Sequence, residues 1–117
     1  MIIIEGDRHI KQTEPYFSAL TDYTNWLLKQ EWNNNENIFI SLGDLFHTAT
    51  PSPTEYDLAL YFIKNSRFKK IYILAGNHDY SRIKNQYAVH PFERFDHVEV
   101  LYREQEVEVE NNRILFL

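Results

Sequence analysis

Three short apolar runs, each followed closely by a glycine, constrain the fold of this chain more than any other feature. The runs are Ile2–Ile4, Ile38–Leu42 and Ile71–Ala75. The glycines that follow them are Gly6, Gly43 and Gly76, which are the only glycines among 117 residues. A short, wholly apolar, β-branched run is typical of a strand that is covered on both faces of a parallel sheet. The sequence therefore predicts three buried parallel strands, each ended by a glycine.

Helical patterns separate the three runs. Residues from Thr13 to about Gln30 carry apolar residues at helical spacing, and Pro15 is expected in the first turn, where its missing N–H does no harm. The stretch Ser52-Pro53-Thr54-Glu55 has the pattern of a capping box that opens a second helix. The order β-α-β-α-β predicts an α/β fold with a parallel sheet, right-handed crossovers and helices on its faces.

The last third of the chain has a looser pattern. Residues 81–96 are polar with scattered aromatics, and we expect a loop with at most one helical turn. Three further strands are predicted, at Val98–Tyr102, Glu106–Glu110 and Arg113–Leu117, with Asn111-Asn112 as a hairpin turn. No repeat or linker divides the chain, so residues 1–117 are predicted to form one domain.

The amino-acid composition excludes several classes of function for this chain. The net charge of −5 and the pI near 5.5 give no basic footprint for a stand-alone DNA-binding protein. The chain has no cysteine, which excludes disulfides and thiolate metal sites. The apolar start Met1-Ile2-Ile3-Ile4 meets Glu5 at once and is too short for a signal peptide or a membrane span. We therefore expect a cytoplasmic protein that has no membrane partner.

Polar side chains able to bind metal ions follow each glycine. They are Asp7 and His9, then Asp44 and His47, and then Asn77, His78 and Asp79. One Asp or Asn after a strand is usually a turn or a helix cap, but three such motifs after three strands favour a shared site. Because the carboxyl ends of parallel strands meet at one edge of a sheet, these residues should converge there. Carboxylate, imidazole and amide ligands suit manganese, iron or zinc, and a bridging Asp permits a two-metal site.

In this order, Asp7-x-His9, Gly43-Asp44-x-x-His47 and Gly76-Asn77-His78-Asp79 resemble the first three motifs of the calcineurin-like metallophosphoesterases. The run Gly43-Asp44-Leu45-Phe46-His47, followed by Pro51-Ser52, is similar more narrowly to the nuclease subunit of the bacterial SbcCD complex and its phage and eukaryotic relatives. The resemblance covers essentially the whole chain. It implies the N-terminal half of the family's α/β sandwich, followed by short strands.

The resemblance implies a metal-dependent phosphodiesterase, most closely a DNA exonuclease and endonuclease. Asp7 and His9 would bind a first divalent ion, Asp44 would bridge two ions and Asn77 would bind the second. Manganese is the ion preferred in the nuclease branch, with Fe²⁺, Zn²⁺ and Mg²⁺ as alternatives.

The resemblance also implies roles beyond the metal ligands. His78 would act on the phosphate as general acid or charge stabiliser, Asp79 would orient its imidazole, and His47 would lie beside the phosphodiester. DNA is the implied substrate and a coiled-coil ATPase of SbcC type the implied partner, and a homodimer stays open. The direction of the Arg8 side chain also stays open.

The sequence departs from the family after the third motif. The family completes its site with an isolated histidine and a Gly-His-x-His motif, and neither occurs before Leu117. His90 and His97 match no family motif and are interpreted as loop residues. The chain thus supplies four of seven expected metal ligands, and we expect residues 1–117 alone to be the first half of the catalytic domain and to have little activity.

Several interpretations of the missing half stay open. We favour the interpretation that the chain is a fragment of a longer nuclease. The alternatives are that it is one piece of a split protein, or a short relative kept for binding. Two other functions also remain: a phosphoesterase of small nucleotides on the same fold, and a non-catalytic docking half-domain.

Overall fold

A computed structural model describes residues 1–6, 8–76, 80–81, 86–102, 105–109 and 112–116. In these residues the chain forms, in order, β1 (Ile2–Glu5), α1 (Tyr16–Lys29), β2 (Ile38–Ser41), α2 (Pro53–Asn65), β3 (Lys70–Leu74), β4 (Tyr80–Ser81), β5 (Gln86–Tyr87), a 3-10 helix (His90–Arg94), β6 (Val98–Leu101), β7 (Gln105–Val109) and β8 (Asn112–Phe116). No helix among the described residues is long and apolar enough to cross a membrane.

The central sheet has the strand order β1-β2-β3-β6, and every neighbouring pair is parallel. One row of the register runs Ile4, Ile40, Tyr72 and Glu99 across the four strands. The predicted parallel sheet is confirmed, and the strand predicted near Val98 joins it as a fourth member. The predicted final hairpin is also present as antiparallel β7 and β8, although Asn112 pairs with Val109 and belongs to β8 rather than to the turn.

The two helices pack against the same face of the sheet. One apolar cluster joins Leu27 of α1 and Phe62 of α2 to Phe39 and Ile71 of the sheet. The ring of Phe39, which is fully buried, lies 5.1 Å from that of Phe62. The opposite face carries a smaller cluster, made of Ile38, Ile40, Tyr72 and Leu101. The predicted α/β sheet with packed helices is therefore confirmed, and α1 and α2 both lie on the face of the larger cluster.

The prediction of strands covered on both faces is correct for β2 and wrong for β1. All four residues of β2 are buried. In β1, Ile4 is 59% exposed. The reason is position, because β1 is an edge strand and Ile4 points away from the face that the helices cover.

The start of α2 was predicted correctly, whereas the start of α1 was not. The capping box of α2 is present as predicted, with the Ser52 hydroxyl accepting from the Glu55 N–H at 3.2 Å. In contrast, α1 begins at Tyr16 rather than at Thr13, and Pro15 is its N-cap instead of lying in its first turn. A residue before proline is disfavoured in the helical region, so Glu14 does not extend the helix.

The described residues of the segment 81–96 contain more regular structure than the sequence indicated. It contributes to the hairpin β4–β5 and contains the 3-10 helix, which agrees with the single helical turn that was expected. Its side chains Val89 and Phe92 are fully buried against the main core. Among the aromatics of this segment, Phe92 is a core residue, and Tyr87 and Phe95 pack partly buried against the same core.

Candidate functional site

The three glycines lie at one edge of the sheet. Gly6, Gly43 and Gly76 follow β1, β2 and β3, which are parallel and paired in register. Their carboxyl ends therefore face the same side, as the sequence predicted. In open α/β sheets this edge is where ligands bind.

Main-chain hydrogen bonds join the first two motifs beyond the end of the sheet. The His9 N–H donates to the Asp44 carbonyl at 3.0 Å, and the Ile10 N–H donates to the Leu45 carbonyl at 2.8 Å. The His47 N–H donates back to the Ile10 carbonyl at 3.0 Å. These bonds resume the parallel pairing of β1 with β2, so the backbone itself holds His9 beside Asp44.

The backbone of both motifs is unusual at the predicted ligands. Asp44 has φ 45° and His9 has φ 50°, while Gly43 has φ 102°. Such left-handed conformations are uncommon outside glycine, although Asp and His adopt them more often than most residues. Conformations of this kind cluster at functional sites, where the surrounding structure fixes them.

The third motif begins in close contact with the second. A Cβ placed on Gly76 would lie 2.5 Å from the Asp44 nitrogen and 2.7 Å from the Asp44 Cγ. A Cβ on Gly43 would lie 3.7 Å from the Gly76 Cα. Only glycine lets the backbone at residue 76 approach the Asp44 carboxylate this closely.

Three of the predicted site residues, His9, Asp44 and His47, are therefore brought together. The imidazole rings of His9 and His47 have centroids 5.8 Å apart and are inclined by 57°. The remaining predicted site residues, Asp7, Asn77, His78 and Asp79, lie outside the described residues. Carboxylate and imidazole are donor types that suit Mn²⁺, Fe²⁺ and Zn²⁺. The described residues alone contain no group of three or more His, Asp or Glu side chains placed to hold a metal ion.

The Arg8 side chain points into the protein, between the two helices, and not toward the solvent. Its side chain is buried, its Nε donates to Glu5 Oε2 at 3.2 Å, and its Nη2 lies 2.7 Å from Glu5 Oε1. The Tyr23 hydroxyl donates to the same Glu5 carboxylate at 2.8 Å. Burial, and then the charge of Glu5, raise the pKa of Tyr23 to about 12. No sequence pattern predicted this cluster, since Glu and Arg three residues apart are usually a surface pair.

Glu55 connects α2 to the segment after His9. Its carboxylate accepts from the Ser52 N–H and from the Gln12 N–H, both at 2.7 Å. The Ser52 hydroxyl also donates to the Gln12 side-chain oxygen at 2.9 Å. The capping box was predicted, but its second bond to Gln12 was not.

The two histidines outside the motifs have other partners. His97 lies at the amino end of β6, where its carbonyl accepts from the Ile71 N–H and its Nε2 is 3.3 Å from the Ile63 carbonyl. This is the edge of the sheet opposite to the three glycines. His90 is the first residue of the 3-10 helix rather than a loop residue, and its Nδ1 lies 3.1 Å from the Tyr102 hydroxyl.

Comparison with known proteins adds a finding on the family. A family model described as calcineurin-like phosphoesterase matches residues 1–116. A search of curated proteins finds no match. The family match therefore spans all three motifs and every strand and helix described above.

Proposed function

Because the chain belongs to the calcineurin-like phosphoesterase family, we propose that it is a metal-dependent phosphodiesterase that acts on DNA. Membership of the family indicates metal-dependent phosphoester hydrolysis. The observation that carries the proposal to this chain is the main-chain bond from His9 to Asp44, which joins two motifs separated by 35 positions. A turn or a helix cap would not require this contact.

The proposed ligands are Asp7, His9 and Asp44 for one ion, and Asp44 with Asn77 for a second. The described donors, a carboxylate and an imidazole, fit a divalent ion in type. When bound, two divalent ions supply a hydroxide nucleophile and neutralise charge on the phosphate oxygens. The left-handed backbone at His9 and Asp44 supports this role, since it sets both side chains before any ion binds.

The chain's own residues would bind and protonate the substrate. His78 would donate a hydrogen bond or a proton to the leaving oxygen, and Asp79 would hold its imidazole in the required orientation. His47 would bind a phosphate oxygen of the phosphodiester. The contact between the rings of His47 and His9 supports this placement, because His9 is a proposed metal ligand on the neighbouring loop.

DNA is the proposed substrate, with an SbcC-type coiled-coil ATPase as the proposed partner. Support comes from the second motif, Gly43-Asp44-Leu45-Phe46-His47, with its histidine three residues after the aspartate. Phe46 is fully buried and its ring contacts those of Tyr56 and Phe92. Because Phe46 belongs to the core, the next residue in the motif, His47, is exposed. A phosphoesterase of small nucleotides is the second candidate, and the net charge of −5 favours it.

The test combines metal binding with hydrolysis. Mn²⁺ titration by calorimetry should give binding to the wild type that is lost in Asp44→Asn and kept in His78→Ala. Hydrolysis is then compared on double-stranded DNA ends, on bis-p-nitrophenyl phosphate and on a cyclic nucleotide, with Asp44→Asn as the contamination control. We expect low turnover from these 117 residues, highest on DNA. Absence of Mn²⁺ binding would overturn the proposal, and preference for the cyclic nucleotide would favour the second candidate.

A further inference from the structure

We propose that Arg8 is a positioning residue of the metal site, whose buried guanidinium fixes the peptide that carries Asp7 and His9. The inference rests on the proposed function, because Asp7 and His9 are the proposed ligands on either side of Arg8. Arg8 is the middle residue of the first motif, and its proposed role differs from that of the two proposed ligands beside it. Arg8 would touch neither the ions nor the substrate.

The guanidinium is anchored between the two helices. Arg8 is 4% exposed, and its guanidinium carbon lies 4.5 Å from the centroid of the Phe62 ring and 5.5 Å from that of Tyr23. Phe62 belongs to α2 and Tyr23 to α1. A planar guanidinium stacks on aromatic faces in a way that a lysine ammonium does not. The first motif is thus attached to both helices by one side chain.

An ion pair connects two residues, Glu5 and Arg8, that lie on either side of Gly6 and Asp7 in the sequence. Glu5 is the last residue of β1, and its two carboxylate oxygens meet Nη2 and Nε of Arg8 at 2.7 and 3.2 Å. The pair spans Gly6 and Asp7, so it fixes the distance between the two ends of this short segment. The hydrogen bond from Nε and the ionic contact of Nη2 together limit the relative orientation of the guanidinium and the carboxylate.

The main chain around Arg8 is held as well. The Tyr16 hydroxyl donates to the Arg8 carbonyl at 2.9 Å, and the next N–H, that of His9, donates to Asp44. The left-handed conformation of His9 persists only if its surroundings impose it. Arg8 supplies that constraint on one side of His9 and the Asp44 carbonyl supplies it on the other.

Stability alone does not explain this arginine. Among the described residues, four buried polar atoms of this cluster make no hydrogen bond: Arg8 Nη1, Arg8 Nη2, Glu5 Oε1 and the hydroxyl of the neighbouring Ser41. Nη2 and Oε1 are nevertheless in ionic contact. Buried ion pairs are often no more stabilising than apolar side chains of the same size. A residue kept in an incompletely satisfied environment beside proposed ligands is better explained by the orientation it gives them.

A double variant separates positioning from stability. Glu5→Gln with Arg8→Met removes both charges together and leaves an acceptor for the Tyr23 hydroxyl, so the urea midpoint should stay near that of the wild type. The Mn²⁺ Kd should nevertheless rise by about 10- to 100-fold, as when groups that orient metal ligands are lost. Arg8→Lys should give an intermediate Kd, because it keeps the charge without the stacked, two-point contact.

Asn33→Ala is the matched control. Asn33 is fully buried, and its side chain bonds to the Leu28 carbonyl at 3.0 Å and to the Arg67 N–H at 2.7 Å. It lies before β2, at the edge of the sheet opposite to the three glycines. The variant should lower the urea midpoint and leave the Mn²⁺ Kd unchanged. An equal rise in Kd in Asn33→Ala and in the double variant would overturn the positioning role.

A measurement on the metal-free protein tests the same role independently. The amides of His9 and Ile10, which donate to Asp44 and Leu45, should exchange hydrogen at least ten times faster in the double variant, whereas core amides such as that of Ile40 should not. Unchanged exchange at His9 and Ile10 would overturn the inference. If the wild type bound no Mn²⁺, the proposed function would fail while the exchange rates would still decide the role of Arg8.

Discussion

The backbone nitrogen of Asp44 lies 2.5 Å from the point that a Cβ would occupy on Gly76. We therefore predict that Gly76→Ala destabilises the protein by about 1–3 kcal/mol, the usual cost of forcing extra atoms into a packed site. The Asp44 carboxylate, which is also in the way, can shift, but the backbone nitrogen of Asp44 cannot move aside in the same manner. Urea unfolding followed by circular dichroism measures the loss.

Gly6→Ala is the control for this prediction, since a Cβ on Gly6 would meet no heavy atom within 4 Å. Its effect should stay within about 0.5 kcal/mol, as for ordinary surface substitutions. Mn²⁺ affinity should fall in Gly76→Ala, because the Asp44 carboxylate must shift. Equal stability losses at the two glycines would contradict the close approach.

Gly43 is constrained by conformation rather than by space. Its φ is 102°, and the atoms nearest to an added Cβ lie at an ordinary 3.7 Å. Gly43→Ala should cost about 1–2 kcal/mol, the penalty of a left-handed conformation for a residue with a Cβ. Gly43→Asn should cost less, because Asn tolerates this region better. If the larger Asn proved the more damaging in urea unfolding, packing and not conformation would be the constraint.

The sheet and its site edge were predictable because local signals and the fold agree. Each of the first three parallel strands, β1 to β3, is a short apolar run rich in β-branched residues, and each is followed by a glycine. The positive φ of Gly43 and the close approach of Gly76 are the physical reasons for two of these glycines. The pattern is therefore visible in sequence, because no other residue satisfies both conditions at low cost.

The features that could not be predicted from the sequence depend on tertiary contacts. The burial of Arg8 requires Phe62 and Tyr23, which lie 54 and 15 positions further along the chain and carry no pattern linking them to it. The same holds for the bond from Glu55 to Gln12, and for Phe92, which is buried although its segment is polar. Exposure of Ile4 was missed for a related reason, since strand order in the sheet decides which strand is at the edge.

The Glu55 carboxylate should stabilise the protein more than an ordinary helix cap. Ser52→Ala should cost about 1 kcal/mol, as for other N-cap serines. Glu55→Ala should cost roughly 2–3 kcal/mol, because a charged acceptor of two backbone N–H groups, those of Ser52 and Gln12, is removed. Thermal and urea unfolding of both variants checks the order of the two effects.

Glu14→Ala is the matched glutamate control. Glu14 is exposed, and within the described part of the chain its carboxylate accepts hydrogen bonds from Ser18 alone, near the start of α1. The loss should stay below about 0.5 kcal/mol. In Glu55→Ala the Gln12 amide should also exchange hydrogen faster, while Glu14→Ala should leave it unchanged. A smaller loss for Glu55→Ala than for Ser52→Ala would contradict the double role.

Tyr23 should make the protein less stable at high pH. Burial disfavours the phenolate of Tyr23, and the charge of the Glu5 carboxylate repels it. The same carboxylate accepts a hydrogen bond from the neutral hydroxyl, so the pKa of Tyr23 rises to about 12, although Arg8 opposes the shift. In the unfolded chain a tyrosine ionises near pH 10. Below about pH 10 both states keep the proton, and the contribution of the hydroxyl is fully present. Between about pH 10 and 12 only the unfolded state loses this proton, so the free energy of unfolding falls as pH rises.

Urea unfolding at pH 9, 10.5 and 11.5 should show this fall. In ¹³C NMR of labelled tyrosines, the Tyr23 resonance should titrate at a higher pH than an unperturbed tyrosine, and it is assigned by its loss in Tyr23→Phe. Glu5→Gln should lower the pKa of Tyr23 by removing the neighbouring negative charge. A Tyr23 resonance that titrates near pH 10 in the wild type would show that its hydroxyl is not held in the buried cluster with Glu5 and Arg8.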